Sequence, residues 1–124
     1  VQVWNSRQIN PSTISPLVLG NRIFSINGAG IITAADTGTG EVKWKLRLTG
    51  PFSGSPIGAG DHLLAVNEVG LVQIVNVAGA EGVSAGQLQL PVNQASKELI
   101  LCTPALSGEH VFVRSDTSLW RLGK

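Results

Sequence analysis

The chain has 124 residues, 43% of them hydrophobic, and nine basic against eight acidic side chains leave a formal charge of +1. That length fits one ordinary domain with a moderate core. The near-neutral balance provides no basic stripe for nucleic acid and no polybasic membrane anchor. The longest apolar stretches, such as LLAV (63–66) and LVQIV (71–75), are far too short to span a bilayer. Cys102 is the single cysteine, so an internal disulfide framework and a multi-cysteine metal cluster are both excluded. There is no methionine, and the sequence begins at Val1 without a charged leader, so the expectation is a piece of a longer polypeptide.

In chain order, residues 1–10 carry Trp4 and read as a lone strand, the last of a preceding unit that extends over 1–14. From Ser15 a frame begins that recurs three times: SPLVLGNRIFSINGAGIITA (15–34), SPIGAGDHLLAVNEVGLVQI (55–74) and TPALSGEHVFVRSDTSLWRL (103–122). Each runs Ser/Thr-Pro, a short apolar stretch, Gly with a polar residue, an apolar strand, a polar turn and another apolar strand. Pro16 and Pro56 stand 40 positions apart, as do Trp4 and Trp44, while Pro56 and Pro104 stand 48 apart. Two independent landmarks that keep one spacing mark a structural repeat.

Within the first unit, RIFSI (22–26), IITA (31–34) and EVKWKLRL (41–48) are short, rich in β-branched or aromatic residues, and bounded by turn residues. The last alternates: Val42, Trp44, Leu46 and Leu48 face one way, and Glu41, Lys43, Lys45 and Arg47 the other. Gly20-Asn21, Gly60-Asp61 and Gly108-Glu109 supply the first turn of each unit, and Asn27-Gly28 and Gly70 the second. Between the third and fourth strands, Asp36 is placed to accept amide hydrogen bonds of the turn that follows. Gly38 and Gly40 permit positive φ there, and Thr39 adds a hydroxyl. Trp44 then offers the largest apolar anchor in the unit, worth up to roughly 200 Å² or more of burial.

Four antiparallel strands per repeat predict an all-β fold, an incomplete β-propeller of about three blades' worth. The expected divisions are the last strand of a preceding blade (1–14), a blade (15–54), a blade with an insertion (55–98), and a final blade lacking its outer strand (99–124). The eight-residue excess of the second unit is placed near AGAEGVSAG (78–86). ELILC (98–102) reads as an apolar strand in which Cys102 is a small buried hydrophobe. Three blades cannot close a ring alone, so open strand edges are expected to drive self-association.

Ala34-x-Asp36-x-x-Thr39-Gly40-x-x-x-Trp44 resembles, at every defined position, the tryptophan-docking motif of the pyrroloquinoline-quinone-like β-propeller repeat family. The resemblance implies that Trp44 docks on the adjacent blade, and that Trp4 does so for the preceding one. In the second unit Asn76 replaces the aspartate, Ala80 stands at the glycine position, no tryptophan follows, and Leu88 or Leu90 is left to serve. The resemblance also implies an extracytoplasmic location and a non-catalytic scaffold that binds a protein partner or the remaining blades of its parent. The alternatives are part of a quinoprotein dehydrogenase, which would hold the quinone and calcium, or a ligand-sensing domain. The dehydrogenases carry a vicinal cysteine pair, which the lone Cys102 cannot supply.

No catalytic, cofactor-binding or metal-ligating residue is assigned, and no cofactor is expected. His62 and His110 occupy equivalent positions in different units, where a shared metal is not expected. GAGIIT, GTGEVK and GAGDHL lack the third glycine of a nucleotide loop and precede strands. Trp120 falls in the third strand of the last unit, placed either to pack between blades or to line a contact surface.

Overall fold

The computed structural model describes residues 1–123. Eleven strands and no helix make up the described residues, in three antiparallel sheets. The first blade orders β1 (Leu17–Leu19), β2 (Arg22–Ile26), β3 (Ile31–Asp36) and β4 (Val42–Arg47) as a simple meander. The second repeats this with β5 (Ile57–Ala59), β6 (His62–Val66), β7 (Leu71–Asn76) and β8 (Val83–Gln89). The third has β9 (Ala105–Ser107), β10 (His110–Arg114) and β11 (Leu119–Leu122). The innermost strands β1, β5 and β9 are neighbours in that order, as the blades of a partial propeller require.

Local chemistry sets each hairpin. Gly20, Gly60 and Gly108 hold φ of +61°, +59° and +59° in the first turns, a conformation only glycine adopts freely. In the second turns Asn27 Oδ1 accepts the amides of Gly30 and Ile31, and Asn67 Oδ1 those of Val69 and Leu71. Ser115 Oγ does the same for Thr117 and Ser118 in the third blade. A short polar side chain thus closes the same turn three times.

Two apolar clusters fill the seams. One joins Phe24, Ile26, Ile32, Ala34, Trp44 and Leu48 of the first blade to Leu63, Ala65, Val75 and Val77 of the second. The other joins Val66, Val72 and Leu90 to Ile100 and Val113, with Trp120 packed against it. The core therefore lies between sheets.

Several expectations need correction. Residues 1–10 form no strand, and neither does ELILC (98–102). There the chain bonds across the seam instead, with Ile100 N donating to Glu68 O and Asp116 N to Leu99 O. Cys102 is half-buried, and its Sγ accepts a hydrogen bond from Arg114 Nη2 at 3.0 Å. The alternation of β4 holds, with Val42, Trp44 and Leu46 buried or half-buried and Lys43, Lys45 and Arg47 exposed, but a bulge shifts its register: Ala34 pairs with Trp44 and Ala35 with Val42, leaving Lys43 unpaired.

The excess residues of the second blade also divide. Leu48 and Leu90 make the same bond to Gly30 O and Gly70 O, 42 positions apart. Phe52 and Ile100 make the same bond to Gly28 O and Glu68 O, 48 positions apart. Two extra residues therefore enter the turn before β8, and six enter the loop between Leu90 and Ile100. Glu98, only 5% exposed, ties down that loop by accepting from Asn93 N and from the hydroxyls of Ser115 and Thr117.

Candidate functional site

The motif residues converge on the turn between β3 and β4. Asp36 Oδ1 accepts the amides of Gly38 at 2.8 Å and Thr39 at 3.0 Å, and the Thr39 hydroxyl lies 3.4 Å away. The Gly38 and Thr39 amides hold the Asp36 carboxyl below its ordinary pKa. Thr39 Oγ1 in turn accepts the amide of Glu41 at 3.2 Å. Gly40 closes the turn by donating to Asp36 O, at a φ of +74°. Ala34 is fully buried opposite Trp44, where a larger side chain would push the indole away.

The indoles of Trp4 and Trp44 are each seated on the next blade. Trp4 lies against Gly40, where an added Cβ would sit 2.6 Å from the ring. Its Nε1 donates to Thr37 O at 2.8 Å. Trp44, 7% exposed, meets Phe24 at 5.7 Å between ring centroids. On its other side it meets Gly82 of the second blade, where an added Cβ would approach the ring to 2.5 Å. The seat is therefore Gly82, not the Ala80 position expected from the repeat, because the two extra residues shift the glycine along the chain. The lock beneath this seat is reduced: Asn76 Oδ1 accepts one amide, that of Ala78.

In the second blade the position of Trp44 is taken by Gly86, the partner of Ile74. Leu88 does not substitute, being 51% exposed, and the buried Leu90 occupies the place of Leu48. On the second blade lies an apolar notch of about 380 Å³ lined by Ala59, His62, Leu64, Ile74 and Ala85. Every residue of β8 is exposed. Trp120, opposite Val113, lies in the second seam instead.

Two further links across the seams were not foreseen. Ser15 N donates to Ser55 Oγ, and Ser55 N to Thr103 Oγ1, both at 2.9 Å. The recurring Ser/Thr-Pro pair is thus a stitch between successive blades, legible only as a spacing in the sequence. The second link is a buried amide clamp: Gln73 Oε1 accepts from Thr49 N at 2.8 Å, while Gln73 Nε2 and Asn67 Nδ2 both donate to Thr49 O.

Among the described residues no group of three or more His, Cys, Asp or Glu is placed to hold a metal ion. His62 opens β6 and His110 opens β10, each on its own sheet. No helix of the described residues is long and apolar enough to cross a membrane.

Residues 2–116 match the family model described as outer membrane protein assembly factor BamB. The chain belongs to this family. Its blades are the PQQ-like propeller repeats read from the motif at Trp44. No curated protein matches the sequence. Among solved structures, BamB from Moraxella catarrhalis superposes with a TM-score of 0.70 at 16% identity, over 87% of this chain and 36% of that one. A europium-containing methanol dehydrogenase gives 0.68 at 13% identity, over 82% and 19%. A quinohemoprotein alcohol dehydrogenase from Pseudomonas putida gives 0.68 at 11% identity, over 81% and 16%. At these identities the likeness to solved structures concerns the fold. The chain spans about a third of the length of the BamB structure, 36%.

Proposed function

We propose that the chain forms blades of a non-catalytic, extracytoplasmic propeller that binds a protein partner in outer membrane protein assembly. The observation that carries this reading is the family match over residues 2–116, since the family is described by that assembly role. The use of the motif residues agrees with it: Asp36 and Thr39 lock the turn that carries Gly40, and Trp4 and Trp44 are seated on the neighbouring blades. That leaves the turns free to carry recognition. In isolation the chain also presents the free edges of β8 and β11, and self-association through them is part of the proposal.

The test is made in the source organism. Removing the parent gene is expected to lower the abundance of outer-membrane β-barrel proteins, and restoring it to return them to normal. Unchanged levels would count against the assembly role. The second reading, a quinoprotein dehydrogenase, rests on the fold shared with the two alcohol-oxidising enzymes. Reconstitution of the parent with pyrroloquinoline quinone and calcium separates the two, because a tightly held quinone absorbance with alcohol turnover would favour the enzyme. The solution mass of the isolated chain tests self-association; a strictly monomeric species at high concentration would remove it.

A further inference from the structure

We infer that the cleft at the turn end of the seam between the first two blades binds a small carboxylate through Arg22. The cleft holds about 250 Å³ and is lined by the first turns of both blades and by the turn before β8, with Asn21, Arg22, Phe24, Asp61, Val77 and Gly79 among its walls. This site lies apart from the assembly role and does not depend on it.

Among the described residues two buried donors of the first blade have no acceptor, Arg22 Nη1 and Trp44 Nε1. They share one face of the first blade, in adjacent rows: Arg22 stands opposite Asp36, and Trp44 opposite Ala34, which faces Phe24. An unpaired donor shut away from water is costly, and native structures seldom keep one without a reason. The preceding seam shows the paired version, since Trp4 Nε1 reaches Thr37 O. In the seam of Trp44, where the turn before β8 is two residues longer, the indole Nε1 has no such acceptor among the described residues.

The chemistry of the ligand follows from its walls. Arg22, the orphaned donor in the wall, calls for a ligand that brings acceptors, and a guanidinium matches the two oxygens of a carboxylate, while Trp44 stands in the row behind it and reports on the site. Asp36, paired with Arg22 across the strands, has its Oδ1 engaged by the amides of Gly38 and Thr39. Asp61 in the wall disfavours multiply charged anions. The volume lies below the ~300–1,000 Å³ of sites for drug-sized ligands, which suits a free small acid or the C-terminal carboxylate of a peptide.

The indole N–H resonance of Trp44, identified by its loss in Trp44→Phe, reports binding in ¹⁵N-labelled protein. Titration with sodium acetate or N-acetyl-diglycine is expected to move it saturably, and sodium chloride at matched ionic strength is not. Saturation at tenfold lower concentration with the dipeptide would assign the site to a chain terminus, and equal saturation to a free acid. Arg22→Gln is expected to abolish the response, and Arg22→Lys, which keeps the charge and side-chain bulk, to weaken it at least tenfold. No saturable shift with either carboxylate, an equal response to chloride, or an undiminished response in either Arg22 variant would overturn the site.

Discussion

Trp44 presses its six-membered ring against the α-carbon of Gly82, so closely that a methyl group there would meet the ring at 2.5 Å. The contact joins β4 of one blade to the turn before β8 of the next, and Phe24 supports the indole from behind. Truncation empties the centre of the larger apolar cluster. Trp44→Ala is expected to cost about 3–5 kcal/mol in urea unfolding, the range for deleting a buried aromatic side chain.

The amide clamp at Thr49 leads to a second expectation. Gln73 is 5% exposed and serves both the N–H and the C=O of Thr49. Gln73→Ala leaves the Thr49 amide without that acceptor, whereas the carbonyl keeps Asn67. The loss should be about 1–3 kcal/mol in the same unfolding measurement. Gln73→Glu should destabilise the protein as well at neutral pH, because a carboxylate would then face the Thr49 carbonyl.

Acid sensitivity follows from Glu98. The Asn93 amide, and then the hydroxyls of Ser115 and Thr117, bring its pKa from 4.5 down to about 2. A carboxyl more acidic in the folded chain stabilises that state at pH above its unfolded value, and the contribution fades as pH falls through the folded value. The Glu98 contribution is therefore complete above about pH 4.5 and lost toward pH 2. Asp36, also held below its ordinary value, adds to the same acid limb. Glu98→Gln should flatten thermal stability against pH across that window. A slope equal to that of the parent sequence would refute the assignment.

The Asp36 lock separates an acceptor from a charge. Asp36→Asn keeps an oxygen for Gly38 and Thr39, so its melting temperature should fall less than that of Asp36→Ala. Equal losses in the two variants, read by thermal melting, would mean that the turn needs the charge itself.

Much of this was legible because the repeat is written in side chains. The 40-residue spacing of Pro16 and Pro56 gave the blades, and turn residues such as Gly20 and Asn27 gave the hairpins, because positive φ and short polar acceptors are local demands. What stayed hidden depends on register. The bulge at Lys43 and the shift of the seat from position 80 to Gly82 are set by pairing between strands, which composition does not encode. ELILC resembles a strand in every local respect, yet the six extra residues before Ile100 carry it across the seam rather than into a ladder. The Ser/Thr-Pro stitches were visible as a spacing and became bonds only when successive blades were set side by side.

The seam itself is tested most directly by a double-mutant cycle on Trp44 and Gly82. Gly82 is not among the positive-φ glycines, so alanine meets no backbone penalty of that kind and collides only with the ring. With Trp44 present, Gly82→Ala should cost about 1–3 kcal/mol, as overpacking does. In the Trp44→Ala background it should cost almost nothing. An equal cost in both backgrounds would show that the indole does not rest on Gly82, and the account of blades fastened by tryptophan would fail.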